Sequence, residues 1–355
     1  MLKANLKVEQ PVNIIIKLGG IRELDKILAE VTPYKVAIIT DETIEKLWSK
    51  EVEKALESTG VEYHKIILPN GEKCKKLEVA IGIWKTLLNC GFTRDSLLIG
   101  LGGGAILDIT GFTASTYMRG CHLVYIPTTL LAQVDAAIGG KNSIDFEGKN
   151  IIGTFYHPEY VLIDPRTLQT LPYETFKSGL SEAVKHSIIQ GEESFKFIED
   201  NVGKILSRDL GVLSEVIKQS VMTKLNIVTS DYVEKGKRAL LNFGHTMAHS
   251  LERALEFKIS HGHAVSIGLF LESKLAELIT GLPSEDVERI KNLLVKLGLP
   301  IKLPLPVEDL VKYMRYDKKF LRGKPRLPLP KRIGEFEIVS LEWEGLLKCL
   351  SELKI

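Results

Sequence analysis

Short apolar, β-branched runs alternate with amphipathic segments through the first half of this chain. The runs are VNIIIKLG, KVAIITD, YHKIILP, DSLLIGLGGG and CHLVYIPTT. Between them lie stretches of helical spacing: from about Ile21, through Leu47 and Val52, through Ile81, Trp84 and Leu88, and from Ala105. A strand that is apolar throughout must be covered on both faces, and a helix between successive strands makes them parallel. The pattern predicts a Rossmann-like, doubly wound α/β domain over residues 1–166.

After YVLIDPRTLQTLP the period changes. Segments 180–190, 213–228, 246–255 and 264–279 have helical spacing and brief connections, so residues 167–355 are expected to form a mainly α-helical domain. Two domains suit 355 residues, a length beyond one ordinary core. The end is punctuated by proline (LPLPVED, PRLPLPKR) and closes with a strand, EFEIVSLE, and a short helix.

With 45% hydrophobic and 26% charged residues the chain reads as globular. A net charge of +2 gives no general field for nucleic acid or a membrane, so any anion site must be local. Cys74, Cys90, Cys121 and Cys349 are scattered, which fits reduced thiols rather than a disulfide scaffold or zinc ribbon. The start, MLKANLKVEQ, has no signal-type apolar core, and the run LLIGLGGGAILDITGF is broken by glycines and Asp108. A cytoplasmic protein with a small-molecule substrate, and neither a membrane nor a nucleic-acid partner, is expected.

Gly102, Gly103 and Gly104 follow an apolar strand and lead into a helix, where bare N–H groups can face a pyrophosphate. A tight packing turn is the alternative. Asp41 ends KVAIITD, a place where a carboxylate either meets a ribose hydroxyl or caps the next helix. Thr128 and Thr129 end a strand, where open α/β sheets bind ligands. A glycine-rich loop after them strings together Asp135, Lys141, Lys149 and Asn150.

Three side chains suited to a transition metal recur in helical segments: Glu182 in SGLSEAVKHSII, His245 in LLNFGHTMAHSLE and His261 in ISHGHAVSIGLF. An acid and two imidazoles leave one position on zinc open, as catalytic sites do. His245 and His249 are one turn apart and share a face, so both could ligate, or one could ligate while the other serves as acid or base. Arg119, Lys185, Lys224, Arg238 and the pair Lys318–Lys319 could together hold phosphate and carboxylate. Residues 312–332 carry nine basic residues against Asp317, which makes nucleic acid a rival ligand for that stretch.

NGEKCKK, GLGGGAILDITGF, YMRG, IPTTLLAQVDAAIGGK, GKNIIGTFYHP, LPYETFKSGLSEAVKH, KRALLNFGHTMAHSLE, HGHAVSIG and DKK resemble the 3-dehydroquinate synthases of the shikimate pathway, from about Lys35 to residues 317–319. The resemblance implies bound NAD and one Zn²⁺ or Co²⁺. It implies conversion of 3-deoxy-D-arabino-heptulosonate 7-phosphate to 3-dehydroquinate and phosphate. In that chemistry the C5 hydroxyl is oxidised transiently, phosphate is eliminated, the ketone is reduced back, and an intramolecular aldol step closes the ring.

By the same resemblance Glu182, His245 and His261 are the metal ligands, and His249 assists proton movement. Cofactor contacts fall to Asn70, Gly71, Glu72, Lys75, Gly102, Gly103, Gly104, Asp108, Thr128, Thr129, Lys141, Lys149, Thr167 and Thr170, to which the strand-end position adds Asp41. Arg119, Asp135, Lys141, Asn150, Lys185, Lys224, Arg238 and Asn242 line the substrate pocket, and a homodimer is implied. The sequence departs from the family at Asn70, usually Asp, at His263, usually Glu, and in a slightly shorter loop NSIDFEG. Rival readings are a metal-dependent polyol or glycerol-phosphate dehydrogenase, which would release NADH, another sugar-phosphate cyclase, and an RNA-binding protein.

Overall fold

The computed structural model describes residues 11–231, 236–314 and 325–353, in two compact units, Met1–Leu171 and Pro172–Ile355. Lys318, Lys319 and the DKK stretch, with most of the basic tract, lie outside the described residues.

The first unit runs β1 (Asn13–Ile16), α1 (Leu24–Val31), β2 (Val36–Asp41), α2 (Glu42–Thr59), β3 (Tyr63–Leu68), α3 (Leu77–Asn89), β4 (Leu97–Gly102), α4 (Gly104–Thr116), β5 (His122–Pro127), β6 (Lys141–Ile144), β7 (Ile152–Phe155) and β8 (Tyr160–Ile163). Six strands form one parallel sheet in the order β1-β8-β5-β4-β2-β3. Every residue of β2 and β4 is buried, as their largely apolar character requires. The chain leaves β2 toward β3 and leaves β4 the other way, toward β5. The strand order therefore reverses between β2 and β4, and a crevice opens beyond their C-terminal ends. Asp41 and the glycine turn stand at that point.

The stretch read from sequence as a loop around residues 141–149 is partly regular, because β6 pairs antiparallel with β7. Its polar alternation, Lys141-Asn142-Ser143-Ile144, carries little apolar signal, and Asn142 and Ile144 turn inward.

The second unit contains α5 (Tyr173–Gln190), α6 (Glu192–Asp200), α7 (Val202–Leu206), α8 (Leu210–Ser230), α9 (His245–Ala254), α10 (His261–Ile279), α11 (Ser284–Lys296), α12 (Val307–Met314), β9 (Arg326–Arg332), β10 (Glu335–Ser340) and α13 (Trp343–Glu352). Helix α5 is buried almost all round, including every residue from Ser178 to Ile189. Helices α8 and α10 pack on it, and α9 packs on α10. No helix among the described residues is long and apolar enough to cross a membrane.

The proline-punctuated stretch forms β9, paired antiparallel with β10. Pro328 and Pro330 alternate with Leu327 and Leu329, so the residues without an N–H both point away from β10. That spacing is what lets a strand hold two prolines.

Candidate functional site

Within the first unit, Gly103 is the N-cap of α4 and brings no side chain to the helix's first amides. The amide of Thr128 donates to Gly102 O at 2.9 Å, which places Thr128 and Thr129 beside the glycine turn. Free amides at a helix N-terminus over the switch point are suited to a pyrophosphate. Asp41 takes the capping role: its Oδ1 accepts from the amides of Thr43 and Ile44, each at 2.9 Å. Asn70 Oδ1 accepts from the same Thr43 amide at 3.3 Å, so the loop carrying Gly71 and Glu72 is tied to the end of β2. Thr167 and Thr170 lie on a short 3₁₀ turn, where Gln133 Nε2 donates to Thr167 Oγ1 and Trp48 Nε1 donates to Thr170 Oγ1.

Lys75 is 2% exposed, and its Nζ reaches Asp108 Oδ2 at 2.5 Å and also Asn150 Oδ1. Burial alone would lower its pKa, but the carboxylates of Asp108 and Glu72 outweigh this and raise it. Ser143 Oγ donates to Asn150 Oδ1 at 2.9 Å, and the Lys149 ammonium lies 3.9 Å from Glu72. Residues far apart in sequence thus meet at one polar cluster. Asp135 sits on a π-type turn after Thr129, and exposed Lys141 begins β6. Arg119 ends the short 3₁₀ turn that follows α4, with φ 65°.

Within the second unit three helices converge. Glu182 is in the middle of α5, His245 is the first residue of α9, and His261 is the first residue of α10. The Nε2 atoms of His245 and His261 lie 3.3 and 3.4 Å from Glu182 Oε1. All three candidate ligand atoms fall within 4.8 Å of one another. Neither oxygen of the fully buried Glu182 makes a hydrogen bond of proper geometry. A buried carboxylate whose Oε1 faces two imidazole nitrogens fits a divalent cation with nitrogen and oxygen ligands.

Lys185, one turn along α5 and 1% exposed, pairs with Glu182 Oε2. Burial would raise the Glu182 carboxyl, but the Lys185 ammonium and then the His245 imidazole hold it well below the usual carboxylate range. Burial and the same ammonium lower His245. His261 is pulled down by burial yet pushed up to about 9 by Glu182 and Glu252. The His249 ring lies 5.4 Å from that of His245 and 6.3 Å from that of His261, so it borders the cluster. His263 points elsewhere, 3.9 Å from Glu174. Lys224 is buried on α8; Arg238, also buried, shares a 3₁₀ segment with Asn242.

Local sequence sets this convergence. Gly262 presses the start of α10 onto α5 so closely that a Cβ there would overlap the Ser178 carbonyl, and its amide donates to Ser178 Oγ at 3.2 Å. His261 is thereby seated over Glu182, one turn beyond Ser178.

The sequence reading missed the groups that orient the imidazoles. Glu252, 3% exposed, faces His261 Nδ1 at 3.3 Å, and the Phe243 carbonyl lies 3.2 Å from His245 Nδ1. Partners of this kind set tautomer and ring orientation. Glu252 was detectable, because it lies seven residues after His245 and three after His249, on their face of α9. Changing Glu252→Gln is expected to weaken metal binding by about 10–100-fold. Competition with a chelator measures it, and unchanged affinity would remove Glu252 from the centre.

A doubly wound sheet with a bare glycine turn at its switch point, in one chain with a helical unit bearing an acid and two imidazoles, defines a class of metal-dependent, dinucleotide-binding enzymes. Residues 65–178 match the family described as 3-dehydroquinate synthase N-terminal, and residues 179–320 match 3-dehydroquinate synthase C-terminal. The chain belongs to the 3-dehydroquinate synthase family. The 3-dehydroquinate synthase of Pyrococcus abyssi is 44% identical over 344 residues, 96% of this chain and 99% of that one. The structure of 2-epi-5-epi-valiolone synthase from Streptomyces hygroscopicus subsp. jinggangensis 5008, with NAD⁺ and Zn²⁺ bound, has a TM-score of 0.86 at 26% identity, covering 99% of this chain and 98% of that one. A 2-deoxy-scyllo-inosose synthase structure shares the fold, with a TM-score of 0.86 at 22% identity and 96% of each chain covered.

Proposed function

We propose that this protein is a phosphate-eliminating carbon–oxygen lyase. It converts 3-deoxy-D-arabino-heptulosonate 7-phosphate to 3-dehydroquinate and phosphate, supplying the shikimate pathway to the aromatic amino acids. The observation that carries this reading is the convergence of Glu182, His245 and His261 inside the stretch that matches the family's C-terminal domain.

Glu182, His245 and His261 would hold the divalent metal. The glycine turn, Thr128, Thr129 and the Lys75–Asp108–Asn150 cluster would hold NAD. When bound, NAD supplies a reversible hydride acceptor and the metal a Lewis acid. The chain's own residues bind and orient: the buried cations Lys185, Lys224 and Arg238, with Asn242, present donors to phosphate and carboxylate. His249, beside the His245 ring, can accept or return a proton at an imidazole nitrogen. The leaving phosphate can itself take the proton, as the resemblance implies.

The test mixes purified protein with the heptulosonate phosphate, a catalytic amount of NAD, and Zn²⁺ or Co²⁺. Phosphate should be released with no net NADH. Stoichiometric NADH would establish a dehydrogenase instead, and phosphate release from other sugar phosphates alone would establish a different cyclase.

A further inference from the structure

We propose that Glu272 is a positioning residue of the metal centre: its carboxylate on α10 binds the N-terminal amides of α9 and so fixes His245 and offsets the positive end of that helix beside the cation. The inference rests on the reading of Glu182, His245 and His261 as metal ligands.

Helix α9 begins at a ligand and has no cap of its own, because its N-cap is Gly244, at φ 80°. Its first amides therefore need partners from outside the helix. Glu272, fully buried, supplies them. Its Oε2 accepts from Gly244 N at 2.7 Å, and its Oε1 accepts from Thr246 N at 3.1 Å and Met247 N at 3.3 Å. The amides on both sides of His245 are thus held by one side chain of the neighbouring helix.

The reach is short because Gly268, one turn before Glu272, lets α10 touch the turn ahead of α9. A Cβ on Gly268 would overlap the Gly244 carbonyl. Since His261 begins α10 itself, Glu272 couples the two imidazole-bearing helices to each other.

Charge adds a second consequence. His245 and His261 are each the first residue of a helix, so both helices direct their positive ends toward a bound cation. Ser260 caps α10 with a neutral hydroxyl. At α9 the cap is a carboxylate accepting from three amides, which offsets the repulsion that the helix end would exert on a dication.

The experiment uses the full chain, stripped by chelator and titrated with Co²⁺ against a competing chelator, following the visible Co²⁺ spectrum, with circular dichroism as a check on fold. Wild type, Glu272→Gln and Glu272→Asp are compared. Gln keeps an acceptor but loses the charge, while Asp keeps the charge but is a methylene shorter. The Gln variant is expected to stay folded, lose about 10–100-fold in Co²⁺ affinity and shift the spectrum. The Asp variant should lie between it and wild type.

Wild-type affinity and spectrum in folded Gln and Asp variants would overturn the proposal, even if melting temperatures fell, since a plain helix cap predicts that result. Variants that never fold would also count against it, by assigning Glu272 to helix stability alone. Failure of wild type to bind Co²⁺ would overturn the metal reading itself.

Discussion

With His245 replaced by alanine, the purified protein is expected to hold no stoichiometric zinc or cobalt and to turn over no substrate. Losing an outer partner of a metal ligand already costs roughly 10–100-fold in affinity. Losing the ligand leaves Glu182 and His261, two protein donors where catalytic zinc takes three. The fold should survive, because the cap on α9 is made by backbone amides that the substitution keeps. Metal content by atomic spectroscopy, phosphate release and circular dichroism provide the check. Turnover without metal would refute the site.

Lys185→Ala has the opposite signature, keeping metal and losing substrate handling. Lys185 and Glu182 are both buried, and removing one partner of a buried pair costs about 3–5 kcal/mol because it strands the other charge. A bound dication supplies the missing counter-charge, so metal should raise the melting temperature of this variant more than that of wild type. Glu182 has its carboxyl depressed in the fold, so the stability it contributes is full above its ordinary value of 4.5 and is lost as pH falls through the lower folded value. Metal-free wild type should therefore lose this increment below pH 4.5, whereas Lys185→Ala lacks the part of it that the ammonium supplies. A variant that loses zinc, or one with unchanged kcat/KM, would remove Lys185 from the substrate pocket.

The sheet was legible because β2, β4, β5 and β8 are apolar nearly throughout, and few structures other than a covered parallel sheet bury such runs. Helix starts were less legible. Apolar periodicity appears from Thr246 and Ala264, yet α9 and α10 begin at His245 and His261, since the donors sit before the buried face that generates the signal. The strand β9 was hidden by its prolines, and β6 by its polar composition. Among the chemical groups, the metal-type donors could be picked out because Glu and His are rare inside apolar helical segments. Glu272 escaped notice because its partners are amides, which carry no sequence identity.

The alternation in β9 bears on how the molecule resists clumping. On the edge of β9 away from β10, Pro328 and Pro330 are buried, and the Pro330 carbonyl already accepts from Thr280 Oγ1 at 2.6 Å. That edge lacks two amide donors and is already covered, so an extended peptide finds little there to pair with. The β9 edge of this two-stranded ribbon is therefore closed as a template for fibrils.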